Sequence, residues 1–147
     1  MSIRYAFPFA LLLVAAPAFA QEGHDHHATH ADHAAPSGLT MKQVMGDLAA
    51  QLGRIQQGLL SGNRYMVQQG AEAIAAHPAP DGGIKPYVKK NAERLKETIP
   101  VMDRQVHQTA TELAEKAMTA PMGELAAMSA TITGGCVGCH DLFRDGE

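Results

Sequence analysis

The residues best suited to chemistry lie near the C-terminus, where the chain reads Cys136-Val137-Gly138-Cys139-His140. In a C-x-x-C-H run the two thiols add across the vinyl groups of haem, and the adjacent imidazole takes the iron as proximal ligand. All three side chains are then used at once. A structural zinc site ordinarily needs four ligands, and these two are the chain's only cysteines. A thioredoxin-like dithiol belongs on a βαβ unit, of which the sequence gives no sign. A disulfide is chemically open to an exported chain, but a pair three residues apart on a helix closes a small, strained loop. The spacing favours one covalent haem c on Cys136 and Cys139, with His140 on the iron.

A second group of potential ligands lies far upstream. His24, His26, His27, His30 and His33 fall within ten residues, interleaved with Asp25 and Asp32. Neutral imidazoles chelate Cu(II), Ni(II) or Zn(II), so this stretch is expected to bind such ions weakly and unselectively. A solvated linker without metal is the simpler alternative. Residues 21–38 show no periodic apolar face and end in Pro-Ser-Gly, which predicts a mobile tail. Before them, residues 1–20 carry Arg4, an apolar run from Ala6 to Ala16 and the ending Ala18-Phe19-Ala20, the layout of a signal peptide. The expected product is exported to the periplasm, with no membrane span, because no other apolar run approaches the length a bilayer demands.

The elements that must position the motif are helices. Met41, Met45, Leu48, Leu52, Ile55 and Leu59 recur at spacings of 4 and 3, predicting a helix over about 40–61. Thr40 is its expected cap and Gly62-Asn63 its stop. A weaker pattern, with Met66 or Val67, Gly70 or Ala71, and Ile74, ends at His77-Pro78-Ala79-Pro80-Asp81-Gly82-Gly83, which forbids a continued helix. Residues 85–96 read as a short helix. Ile99, Met102, Val106, Ala110, Leu113 and Ala117 predict another over about 98–118, capped by Thr98 with Pro100 in its first turn. After Pro121 the stripe Met122, Leu125, Ser129, Ile132, Cys136, Cys139 and Phe143 runs to the C-terminus. No segment alternates with a period of two. The expected fold is all-α, an antiparallel four-helix bundle over residues 39–147 that carries the motif on its last helix.

Composition narrows the function further. The chain has a net charge of −3, and loss of the leader with its Arg4 takes it to −4, a poor match for nucleic acid. Lys85, Lys89, Lys90, Arg94 and Lys96 gather cations, most simply a solvated face and otherwise a surface for docking a redox partner. There is no Trp, and beyond the leader Phe143 is the only Phe. A porphyrin would supply the aromatic mass that the core lacks.

From Leu39 to Arg144 the sequence resembles the cytochrome c′ family and its low-spin relatives. The shared features are the C-terminal motif, the ending Cys139-His140-Asp141-Leu142-Phe143-Arg144, the Met41-x-x-x-Met45-x-x-Leu48 start of helix one, and the order of helices and breaks. The resemblance implies that the position one turn into helix one, here Met45, faces the iron. A ligating Met there implies a six-coordinate, low-spin electron carrier. A non-ligating side chain implies a five-coordinate site, lined by Met45 and Leu48, that binds nitric oxide or carbon monoxide. Taken without the family, a Met on a helical stripe is more often core filler. Met41, one turn earlier, is the next candidate for the ligand; His107 reads as a solvated or hydrogen-bonded surface residue. Arg144 matches a basic residue beside the proximal His and is suited to a haem propionate, or to a helix C-terminus, which favours a cation in any case. Phe143 is expected against the haem or helix one.

The leading expectation is a one-electron carrier that needs no catalytic residues and serves redox proteins of the periplasm. A gas-binding cytochrome is the alternative, and a copper-linked role for the histidine tail a weaker one. Some relatives form dimers through helices one and two, and the resemblance leaves a homodimer through those helices open here without fixing the oligomeric state.

Overall fold

A computed structural model of the chain describes residues 37–88 and 90–144. The leader and His24, His26, His27, His30 and His33 lie outside the described residues. Four helices, α1 (Met41–Ser61), α2 (Arg64–Ala75), α3 (Leu95–Lys116) and α4 (Met122–Phe143), pack in chain order, each antiparallel to the one before. No strand occurs among the described residues. The architecture is the expected antiparallel four-helix bundle. Among the described residues no helix is long and apolar enough to cross a membrane.

The first hairpin is fixed by its caps. Thr40 accepts a hydrogen bond from the Gln43 N–H at 3.3 Å, while the Gln43 side chain accepts from the Thr40 N–H at 2.9 Å, so two of the helix's orphan donors are satisfied reciprocally. At the other end Gly62 adopts φ 71°, which a residue with a Cβ adopts only at a cost, and the Asn63 N–H closes onto the Gly58 carbonyl at 2.8 Å. The Asn63 side chain then caps α2, accepting from the Met66 N–H at 3.2 Å. Two residues thus reverse the chain. They bring α1 and α2 so close that a Cβ on Gly70 would lie 2.8 Å from Ile55 Cγ1 and 2.9 Å from the Gln51 carbonyl oxygen.

The stripes read from sequence meet in one core. Ile55 from α1, Val67 and Ile74 from α2, Leu113 from α3, and Leu125 and Ile132 from α4 are all buried in it. Arg64 ties the far end of the bundle, donating to the carbonyls of Ala117 and Ala120 at 2.7 and 2.8 Å. These are acceptors that the end of α3 leaves without helical partners.

The link between α2 and α3 departs from expectation. Residues 85–96 do not form one helix: two 3₁₀ turns, Lys85–Tyr87 and Ala92–Arg94, occupy the stretch. Thr98 is not a cap either, because α3 begins at Leu95, and Pro100 stands in its second turn. The cause is Leu95, which is buried and extends the Ile99–Met102–Val106 stripe back by one turn.

The close approach at Gly70 gives a direct check on this packing. Gly70→Ala is expected to lower stability by about 1–3 kcal/mol, the usual cost of overpacking, despite the better helix propensity of Ala. Urea unfolding followed by circular dichroism measures it, and an unchanged midpoint would contradict the α1–α2 contact.

Candidate functional site

The motif occupies the last two turns of α4, and the helical repeat sorts its residues by direction. Leu125, Ile132 and Phe143 define the buried line of α4. Cys136 and Cys139 flank that line, half-buried and unbridged, and Cys136 packs on the main core. Gly135 and Gly138 turn toward α3: a Cβ on Gly135 would lie 2.6 Å from Val106 Cγ2, and one on Gly138 3.2 Å from Met102 Cε. Small residues thus let α3 press against this side of the motif. His140 falls on the opposite edge, toward α1, and is exposed.

The register between α1 and α4 follows from one hydrogen bond. Gln56 Nε2 donates to Oγ of the buried Ser129 at 3.0 Å. Eleven residues before Gln56 on α1 is Met45, and eleven after Ser129 on α4 is His140. Eleven residues make about three full turns and about 16 Å of rise, so each residue keeps the facing of its partner in that bond. Because the helices are antiparallel, this count puts Met45 and His140 at about the same height along the bundle, Met45 half-buried and His140 exposed. Met41 is instead level with Arg144, and Leu48 with Val137.

Burial is mixed at the motif end, where Val44 is buried beside the half-buried Met45. Ile55, Leu125 and Ile132 have no exposed surface, whereas Met41, Met45, Leu48, Cys136, Cys139 and Leu142 are each half-buried. Of these, Leu48 packs against the main core. Phe143 is 4 % exposed, in keeping with an inward role; Arg144 is exposed at the C-cap, its N–H on the His140 carbonyl at 2.9 Å.

Several links close this end of the bundle. The Asp81 N–H donates to the Leu39 carbonyl at 2.8 Å, and Ser37 Oγ to the Ala79 carbonyl at 2.7 Å, joining the start of α1 to the α2–α3 link. From the same link, Asn91 Nδ2 donates to the Leu142 carbonyl at 2.6 Å and Lys90 Nζ to that of Asp141 at 3.3 Å. Both acceptors belong to the last turn of α4, whose carbonyls have no helical donors. Asn91 reaches them from a left-handed conformation, φ 54°, that Asn tolerates better than most residues.

The electrostatics separate the motif from a reactive dithiol. Burial pushes both the Cys136 and Cys139 thiols above their ordinary range, and for Cys139 the neighbouring charges of Cys136 and Asp103 act in the same direction. Redox-active cysteine pairs show the opposite shift, held down by nearby cations or a helix N-terminus.

His107 is not the surface residue expected. It is 5 % exposed on α3, with Nδ1 donating to the Ala75 carbonyl at 2.7 Å and Nε2 3.5 Å from Asp103 Oδ1. The hydrogen bond to Asp103 is the main reason its pKa is raised; the Ala75 carbonyl adds to the rise and burial opposes it. His77, read from sequence only as part of a breaker segment, stacks on it with ring centroids 4.5 Å apart. The sequence signal that could have found this pair is Asp103 and His107 one turn apart on the predicted α3, four residues after which a helical neighbour is in reach.

Fold and motif together define a four-helix bundle with C-x-x-C-H on its final helix. No family model and no curated protein matches the chain. Among solved structures the bundle is similar to that of cytochrome c′ from Thermochromatium tepidum, with a TM-score of 0.57 over 71 % of this chain and 91 % of that one, at 19 % sequence identity. At that identity the likeness is one of fold.

The closure of α4 is testable at Asn91. Asn91→Gly should remove only the side-chain bond and cost about 0.5–1.5 kcal/mol. Asn91→Ala should cost about 1 kcal/mol more, for the positive φ. Urea unfolding ranks the two, and hydrogen exchange should rise first in the amides of the final turn of α4.

Proposed function

We propose that the protein is an exported c-type cytochrome that works as a one-electron carrier, with haem c bonded to Cys136 and Cys139 and its iron held by His140 and Met45. The observation that carries this reading is the C-x-x-C-H motif on the last helix of a four-helix bundle, and the count outward from the Gln56–Ser129 bond, which puts Met45 at about the height of His140, supports Met45 as the second ligand.

The residues present fit the group. The two thiols share a face, are unbridged and are half-buried. Met45, Leu48 and Leu142 near them are half-buried beside the buried Val44 and Phe143, and a flat apolar group would complete their burial. Phe143 supplies an aromatic ring on the inward line of the same helix. Haem bound here supplies a ferric–ferrous couple. A thioether from Met45 favours the ferrous state and gives a higher potential than a second imidazole would. Arg144 is placed one turn beyond His140, where its charge offsets a propionate.

Two further features support a carrier. Residues 1–20 have the layout of an export signal, and haem of this type is attached outside the cytoplasm. Lys85, Lys90, Arg94 and Lys96 are exposed on the link and the start of α3 that close the motif end, a surface able to attract an acidic redox partner.

Two experiments test the reading. Denaturing mass spectrometry of the exported protein should show the polypeptide carrying one haem, and Cys136→Ser with Cys139→Ser should abolish the added mass; a wild-type chain without it would end the proposal. The wild-type absorption spectrum should be low-spin in both oxidation states. Met45→Ala should convert it to high-spin, with ready carbon monoxide binding on reduction. An unchanged spectrum in that variant would move the ligand to Met41. A high-spin wild type would make the protein a gas-binding cytochrome, with an open site beside Met45 and Leu48.

A further inference from the structure

A second set of ligating atoms lies between α2 and α3, apart from the haem motif. His77 follows the Ala76 C-cap of α2, and Asp103 and His107 stand one turn apart on α3. His107 Nε2 is 3.5 Å and His77 Nε2 4.0 Å from the same oxygen, Asp103 Oδ1. One donor atom from each of the three residues lies within 4.8 Å of the other two.

The outer contacts fix which ring atoms face inward. His77 Nδ1 lies 2.9 Å from the Ile74 carbonyl and His107 Nδ1 2.7 Å from that of Ala75. A carbonyl can only accept, so each Nδ1 carries a hydrogen and each Nε2 faces Asp103; Nε2 donates to the carboxylate when the ring is protonated, and a cation bound between them would take the place of that proton. Backbone acceptors behind metal-bound imidazoles orient them in this way and raise their basicity. Both carbonyls belong to the last turn of α2, the negative end of that helix, which adds attraction for a cation.

We propose that His77, Asp103 and His107 form a binding site for a borderline divalent cation of the zinc class, with two imidazoles, one carboxylate and water as the fourth ligand. Around a tetrahedral zinc ion with arms of about 2.0–2.2 Å, neighbouring ligand atoms stand about 3.3–3.6 Å apart. The His107–Asp103 separation already falls in that range. The His77–Asp103 separation is 4.0 Å, and turning the His77 ring closes it. That motion is available because His77 is outside the helix and half-buried, whereas His107 and Asp103 are held by α3. The two rings are now stacked with their planes 20° apart, so binding would require the His77 ring to leave that stack. Two imidazoles and one carboxylate are a donor set that zinc takes readily and that magnesium and calcium, with their preference for oxygen, do not.

The test uses the full exported chain with its haem. Crystals soaked in Zn(II) are measured on both sides of the zinc absorption edge, which distinguishes zinc from iron. A peak about 2.0–2.2 Å from His77 Nε2, His107 Nε2 and an Asp103 oxygen is the expected result. Zinc titration by calorimetry then compares the wild type with His77→Ala and Asp103→Asn, each expected to weaken one site by about 100-fold or more. Alanine at all five of His24, His26, His27, His30 and His33 should leave that site intact. No edge-specific peak at the cluster, or an unchanged titration in both His77→Ala and Asp103→Asn, would overturn the proposal. The cluster would then be a histidine pair sharing protons with Asp103. Because the diffraction measurement needs no variant, misfolding of a variant cannot mask either result.

Discussion

The hydrogen bond from Gln56 to Ser129 is the contact on which the geometry of the site depends. Hydrophobic burial holds the bundle together, but it is weakly directional and tolerates a sliding of α1 along α4. A buried hydroxyl does not tolerate it, because a slip of one turn would leave Ser129 without its partner at a cost of about 1–3 kcal/mol. Ser129 has no exposed surface and sits between Leu125 and Ile132, where an apolar residue would otherwise be expected. One polar pair therefore converts a greasy seam into a register. Counting outward along the two helices from that pair is what puts Met45 at about the height of His140.

A register set at mid-helix is useful only if the helix ends stay wound. The motif occupies the final turns of α4, where carbonyls have no helical donors and fraying begins. The α2–α3 link supplies those donors through Asn91 and Lys90, and it anchors the start of α1 through Ala79 and Asp81. The same link therefore holds both sides of the seam at the motif end. Its two 3₁₀ turns and the left-handed Asn91 go with the α4 contact, since they set the side chains of Lys90 and Asn91 against the last carbonyls of that helix.

How far the sequence reveals this varies with the kind of signal. Helices α1, α3 and α4 were legible because their apolar stripes persist over five or six turns, and the α1 caps because Thr40, Gly62 and Asn63 act on neighbours in sequence. The start of α3 was not, because Leu95 is one apolar residue among charges and declares itself only by being buried. The C-x-x-C-H motif was legible since its residues are adjacent. The register was not, because Gln56 and Ser129 are 73 residues apart and neither type announces a partner. His77 and His107 failed for the same reason: one lay in a breaker segment, the other beside Gln108 and Thr109, and only the packing of α2 on α3 joins them.

Asp103 belongs to the helix that packs on both the His77 side and the motif side of the bundle. It is the main cause of the raised His107 pKa and the least of the three causes of the rise at Cys139, where burial comes first. Fixed negative charge near a haem stabilises the ferric form and lowers the potential; neutralising it does the reverse. A cation held between His77, Asp103 and His107 would cancel that charge without touching the iron or its ligands. Occupancy of the histidine pair should then be read at the proposed haem as a higher potential. The direction of that shift depends only on the sign of the charge at Asp103, and its size on how far that charge lies from the iron.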